Sequence, residues 1–235
     1  MELNEHRKAR PHPARRRRAL RLGLLATASL TVIGAVTGGA QAIGFAASPV
    51  PGVAVASDSA HTLTNPAHRD RFDDSFTVHQ FGPLFAASVR NQANAESAAC
   101  TTDAPCRSVS LSFQIVTMAG TNIHLNAVNL SDASNAHCDG CQTLAGAYQF
   151  VVSTPRPFIL GSSAQSQLAA IHHQLDLLST STAPVATVQQ QVDALAAQVT
   201  AILKEAAATA PAGPGVNGLS QLVPDVTVHR TFDHN

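Results

Sequence analysis

From Cys100 to Val152 the chain reads CTTDAPCRSVSLSFQIVTMAGTNIHLNAVNLSDASNAHCDGCQTLAGAYQFVV. This stretch holds all four cysteines, the single tyrosine and the clearest strand pattern, so the folded core is expected to be built on it. Val109, Leu111, Phe113 and Ile115 alternate with Ser108, Ser110, Ser112 and Gln114, a period of two that predicts a strand with one buried face. Ala119-Gly120-Thr121-Asn122 reads as a turn. Ile123 to Asn135 is ambiguous, because the alternation of Ile123, Leu125 and Ala127 gives way to a polar run. After Cys138-Asp-Gly-Cys141, both alternating sets from Thr143 to Val152 suit a strand with one small, closely packed face, and Tyr148-Gln-Phe-Val-Val has high β-propensity. A helix is the competing reading there, since Leu144, Tyr148 and Val151 also form a helical stripe.

Downstream, Pro155 and Pro157 end this element, and Gly161-Ser162-Ser163 supplies a break and an N-cap. Leu168, Ile171, Leu175 and Leu178 then recur at helical spacing. Thr182 is a second N-cap candidate ahead of Pro184, which suits a first helical turn. Val185, Val188, Val192, Leu195, Val199 and Ile202 continue at alternating steps of three and four. The short polar connection predicts an antiparallel helical hairpin over residues 161–205, facing the sheet or, through three heptads, a second copy in a coiled coil. Residues 206–235 read as a low-complexity tail in which Val226 to Asn235 has weak strand character.

Upstream, residues 1–42 combine a basic segment, an apolar run from Leu22 to Val36 and the small-x-small site Ala40-Gln41-Ala42, the layout of a secretory signal peptide. The run is shorter than the ~20 residues a spanning helix needs, so membrane contact is expected only through this segment if uncleaved. Arg16-Arg17 leaves Sec and twin-arginine export both open. Residues 43–83 show no sustained period and read as a disordered tether, with Arg69-Asp-Arg-Phe-Asp-Asp74 as a solvated charge run. Phe81 to Val89 would be the first piece to touch the core, opening a stapled sheet region over 84–160.

Eight of the fifteen Lys/Arg residues lie before position 43; beyond it seven face thirteen Asp/Glu, a net charge of −6. An anionic chain without a basic cluster is a poor ligand for a phosphate backbone, which excludes nucleic acid as the expected partner. Nine Phe, one Tyr and no Trp make a core that gains little from aromatic burial, so staples become useful. In an exported chain Cys100, Cys106, Cys138 and Cys141 read first as two disulfides, the local pairing 100–106 with 138–141 being one of three possibilities. Thiol exchange at Cys138/Cys141 lacks a βαβ context, and zinc spacing is met by one half of the set only. The eleven histidines give no metal pattern: His6 and His12 fall in the signal segment, and the adjacent His172-His173 point apart on a helix, where chelation needs i, i+4 spacing. Neither H-E-x-x-H nor G-x-S-x-G occurs, and Glu96 and Glu205 are the only glutamates beyond the signal segment. No catalytic residue, cofactor or metal is expected.

Ser110-x-Ser112-Phe113-Gln114-x-Val116, Asn129 to Asn135 and Cys138-x-x-Cys141-x-Thr143-x-Ala145-x-Ala147-Tyr148-Gln149-x-Val151 resemble a core shared by uncharacterised exported actinobacterial proteins. The resemblance covers residues 108–152. Some members carry a peptide zinc metalloprotease label, but the zinc-binding helix that label implies is lacking here. The reading is an α+β domain of about 100 to 120 residues, a small disulfide-stapled sheet packed on a helical hairpin between disordered ends. The expected function is that of a secreted, non-enzymatic module contacting an unknown protein or cell-surface partner through hairpin or sheet edge, self-association through the hairpin included. The alternative is a thiol-redox or zinc-dependent protein using Cys138 and Cys141.

Overall fold

The computed structural model describes residues 52–211 and 224–234. They form strands β1 (Gly52–Thr64), β2 (Asp70–Ala98), β3 (Arg107–Ala119), β4 (His124–Ala136) and β5 (Gln142–Thr154), helices α1 (Ser162–Leu177) and α2 (Val185–Ala208), and strand β6 (Asp225–His234). The expected signal segment lies outside the described residues.

Parallel pairing organises the chain. Asp70 stands opposite Arg107, and Arg107 opposite Gln142, so β2, β3 and β5 are successive laps of one path at steps of 37 and 35 residues. The second half of β2 pairs in the same sense with β1 on one side and β4 on the other. The register breaks between Gln80 and Pro83, where β2 passes from one layer to the other. These described strands form a two-layered parallel solenoid: β1, β2 from Leu84 onward and β4 make one layer, while the first half of β2, β3 and β5 make the other. β6 adds to β5 in antiparallel sense.

The two layers meet across mostly small side chains, with Leu84, Val89, Val116, Met118 and Val151 packed together toward one end. Ala54, Ala56, Ala60, Ala87, Ala93, Ala95, Ala145 and Ala147 are buried, which explains an alanine-heavy composition with few aromatics. On its other side the β3/β5 layer carries the large residues. Leu111, Phe113, Ile115, Leu144, Tyr148 and Phe150 form one core with Leu168, Ile171 and Leu175 of α1 and with Val188, Val192, Val199 and Leu203 of α2. Phe76, Phe113 and Tyr148, equivalent in three laps, stack with ring centroids 5.7 and 4.5 Å apart.

This architecture corrects the expected α+β domain of a small sheet on a helical hairpin. The supposed tether is strand from Gly52 to Thr64 and from Asp70 onward, and the supposed tail supplies β6. In β1 the buried positions are Ala54, Ala56, Ala60, Thr62 and Thr64, so the alternation exists but is written in small residues that carry little hydrophobic contrast. Large apolar side chains are unnecessary where two layers approach closely. β3 likewise has two buried faces: Ser108, Ser110, Ser112 and Gln114 are as inaccessible as Val109 and Leu111, because that side meets the other layer instead of water. Residues 143–152 are strand. Neither helix has a side-chain cap; the N-cap positions are Gly161 and Pro184, in place of Ser162 or Ser163 and Thr182.

Candidate functional site

The sequence-predicted cysteines sit in two turns, one above the other. Residues 99–106 join β2 to β3, and residues 137–141 join β4 to β5. Because Ala98 pairs with Ala136, Ala99 and His137 hold equivalent positions, and both adopt left-handed backbone conformations with φ of 59° and 52°. The turn therefore repeats despite the lack of glycine at that point, where the left-handed region is disfavoured. Disulfides join Cys100 to Cys106 and Cys138 to Cys141. The four sulfurs form one buried cluster, and the Cys106 N–H donates to Cys141 Sγ at 3.2 Å. With no free cysteine, the corner offers no thiolate for exchange or ligation. The first lap closes differently, through Asn65 Oδ1, which accepts from the N–H groups of Ala67 and His68.

Between the layers runs a set of polar ladders that hydrophobic patterning did not reveal. Asp58, Asn91 and Asn129 are register partners in successive laps. Asn91 is fully buried; its amide donates to Ser112 O (3.0 Å), Tyr148 O (3.1 Å) and Asn129 Oδ1 (2.9 Å), and its Oδ1 accepts from Ser112 Oγ (2.6 Å). Asn129 continues the chain by donating to Ala147 O and to His229 O on β6. Opposite them, Thr77, Gln114 and Gln149 form the matching ladder, with Gln149 Nε2 donating to Gln114 Oε1 at 2.7 Å. Gln114 also donates to Asp58, whose carboxylate lies 2.7 Å from His79 Nε2. Burial pushes the Asp58 carboxyl upward, but hydrogen bonds from His79 and Gln114, the charge of His79 and a bond from Thr77 outweigh it, so its pKa is lowered. The first rung thus takes a carboxylate because donors surround it, while the second takes an amide.

Two further clusters lie outside the ladders. The charge run is not a plain solvated face: Asp73 accepts the backbone N–H of His61 at 2.8 Å, and Asp74 is largely buried. His172 Nε2 lies 3.3 Å from Asp74 Oδ2 and 3.6 Å from Asp176 Oδ1, so the helical partner of His172 is the acid at i+4. The Asp74 carboxyl is raised by burial and by Asp176 and Asp73, against the opposing effect of His172. Tyr148 donates to Asp193 Oδ1 at 3.1 Å; burial and that carboxylate push its phenol far upward. A cavity of about 230 Å³ beside the exposed edge of the first lap is lined by His61, Arg71 and Asp73 among others. Among the described residues no serine or threonine hydroxyl bonds to a histidine ring.

Among the described residues no helix packs on the outer face of the β1/β4 layer. Val53 (62 % exposed), Val55 (73 %) and Phe85 (50 %) gather at one end of it, where Val53 pairs with Ala86. Comparison with protein-family models, with curated proteins and with solved structures finds no match to this chain.

Proposed function

We propose that this chain is an exported, disulfide-stapled module that binds a protein partner at the cell surface through the outer face of the β1/β4 layer. The asymmetry of the two layers carries the reading. Helices bury the large residues of one layer, whereas the other leaves Val53, Val55 and Phe85 in water. Solvent contact of grouped apolar side chains is relieved when a partner covers them. Export is supported by the basic segment, short apolar run and small-x-small site of residues 1–42 together with two closed disulfides, which persist in oxidising compartments. Among the described residues no helix is long and apolar enough to cross a membrane. The closed and buried Cys138–Cys141 pair favours a structural role over thiol exchange.

The test uses labelled protein recovered from culture medium and intact cells of the producing organism. The parent chain is expected to be retained on the cells, and the double variant Val55→Arg, Phe85→Arg to be released at an unchanged thermal midpoint. Equal retention of both proteins, or none of the parent, would sink the proposal. A mass spectrum of the same sample reports the mature N-terminus, expected near Ile43.

A further inference from the structure

Asp74, His172 and Asp176 present ligand atoms from two elements to one point. Asp74 belongs to the helix-facing side of β2, and His172 and Asp176 lie one turn apart on α1. Their Oδ2, Nε2 and Oδ1 atoms all fall within 4.8 Å of one another. The separations of 3.3 and 3.6 Å are long for hydrogen bonds to an imidazole. They match a different geometry. Nitrogen and oxygen ligands about 2.0–2.2 Å from a tetrahedral ion lie roughly 3.3–3.6 Å apart.

A second observation concerns Asp74 alone. Its Oδ2 is buried, and the one donor described near it is His172 Nε2 at 3.3 Å, which makes no well-formed hydrogen bond, although the Asp74 side chain is only 13 % exposed. A desolvated carboxylate oxygen served only by a long imidazole contact is costly, and here a second carboxylate stands beside it. The imidazole is also held in place: the ring of Phe76 stacks on His172 at 5.1 Å with an interplanar angle of 13°. Asp176 is 52 % exposed, so it can turn toward an ion while water completes the coordination.

We propose that Asp74, His172 and Asp176 bind a divalent transition-metal ion, of which zinc best suits one imidazole and two carboxylates. The bound ion ties α1 to β2, joining the helical cover to the first lap of the solenoid. Calcium and magnesium, which take oxygen ligands, fit the imidazole poorly. The closed disulfides keep the cysteine corner out of competition in the oxidised protein.

The experiment treats the oxidised, secreted chain with chelator and titrates it with Zn²⁺ by calorimetry and thermal melting. One equivalent is expected to bind and to raise the melting midpoint. Asp74→Asn and His172→Gln are each expected to weaken that binding at least tenfold and to remove the rise, while His173→Gln leaves both intact. Without zinc, Asp74→Asn melts at or above the parent midpoint, since it removes a carboxylate that burial disfavours, so loss of binding is not loss of fold. Absence of a zinc-dependent rise in the parent, or the same rise in Asp74→Asn and His172→Gln, overturns the proposal.

Discussion

Replacing Asn91 by alanine and, separately, by aspartate distinguishes polar pairing from shape filling between the layers. In Asn91→Ala, Ser112 Oγ loses its acceptor in the interior and the half-buried Asn129 Oδ1 loses a donor. At about 1–3 kcal/mol for a buried group left without its partner, and less for the half-buried oxygen, the expected loss is on the order of 1–4 kcal/mol. That is a large share of the roughly 5–15 kcal/mol by which a domain is stable. Asn91→Asp keeps the shape but turns an oxygen toward Ser112 O, Tyr148 O and Asn129 Oδ1, three acceptors now within 2.9–3.1 Å of the amide nitrogen. An uncompensated charge buried there costs about 3–5 kcal/mol, so the near-isosteric variant should be at least as unstable as alanine at neutral pH. It should recover partly on acidification, as burial raises the new carboxyl and protonation restores a donor. Urea unfolding followed by circular dichroism, with slopes checked for equality, measures both effects. If aspartate is clearly more stable than alanine at pH 7, volume governs this position and the ladder argument fails.

At Gly146 a Cβ would approach Phe232 Cε1 to 2.8 Å and Leu111 Cδ2 to 3.2 Å, so Gly146→Ala should lose about 1–3 kcal/mol through overpacking, read as a lower melting midpoint. Val192 is fully buried in the helix-facing core, and Val192→Ala should lose about 1–3 kcal/mol in the same assay; no change would mean that α2 does not rest there. Because the Asp58 carboxyl is lowered in the folded chain, the stability it contributes is present above its unfolded pKa of about 4 and is lost as pH falls through the lower folded value; Asp58→Asn should flatten acid unfolding in that window. Non-reducing peptide mapping should recover Cys100 with Cys106 and Cys138 with Cys141, and a crossed pair would refute the arrangement of the turns.

The legible parts of this fold were those written in large side chains. Val109 to Ile115 and the stripes around Leu168 and Val192 carry enough apolar contrast to reveal strand and helix. β1 and the second half of β2 do not, because apart from Leu84 and Val89 their buried faces are alanine, threonine, serine and asparagine. The missing signal was a repeat. Ser75-Phe76-Thr77-Val78, Ser112-Phe113-Gln114-Ile115 and Ala147-Tyr148-Gln149-Phe150 are one motif met three times, at the spacing of the laps. Aligning them would have placed Thr77, Gln114 and Gln149 on one ladder and brought the charge run into the sheet. His172, Asp176 and Asp74 could not be joined in this way, since only the packing of α1 against β2 brings residues about a hundred positions apart together.

The antiparallel strand β6 sets how far this architecture can grow. Each lap presents the next with a row of free backbone groups, and β5 would offer such a row to any passing strand were it not bonded from Leu144 to Ser153 by residues of opposite direction. A parallel newcomer finds that row already taken. Deleting residues 224–235 should therefore expose a template on which copies add end to end, and light scattering should show fibrous polymer where the parent chain keeps a finite size.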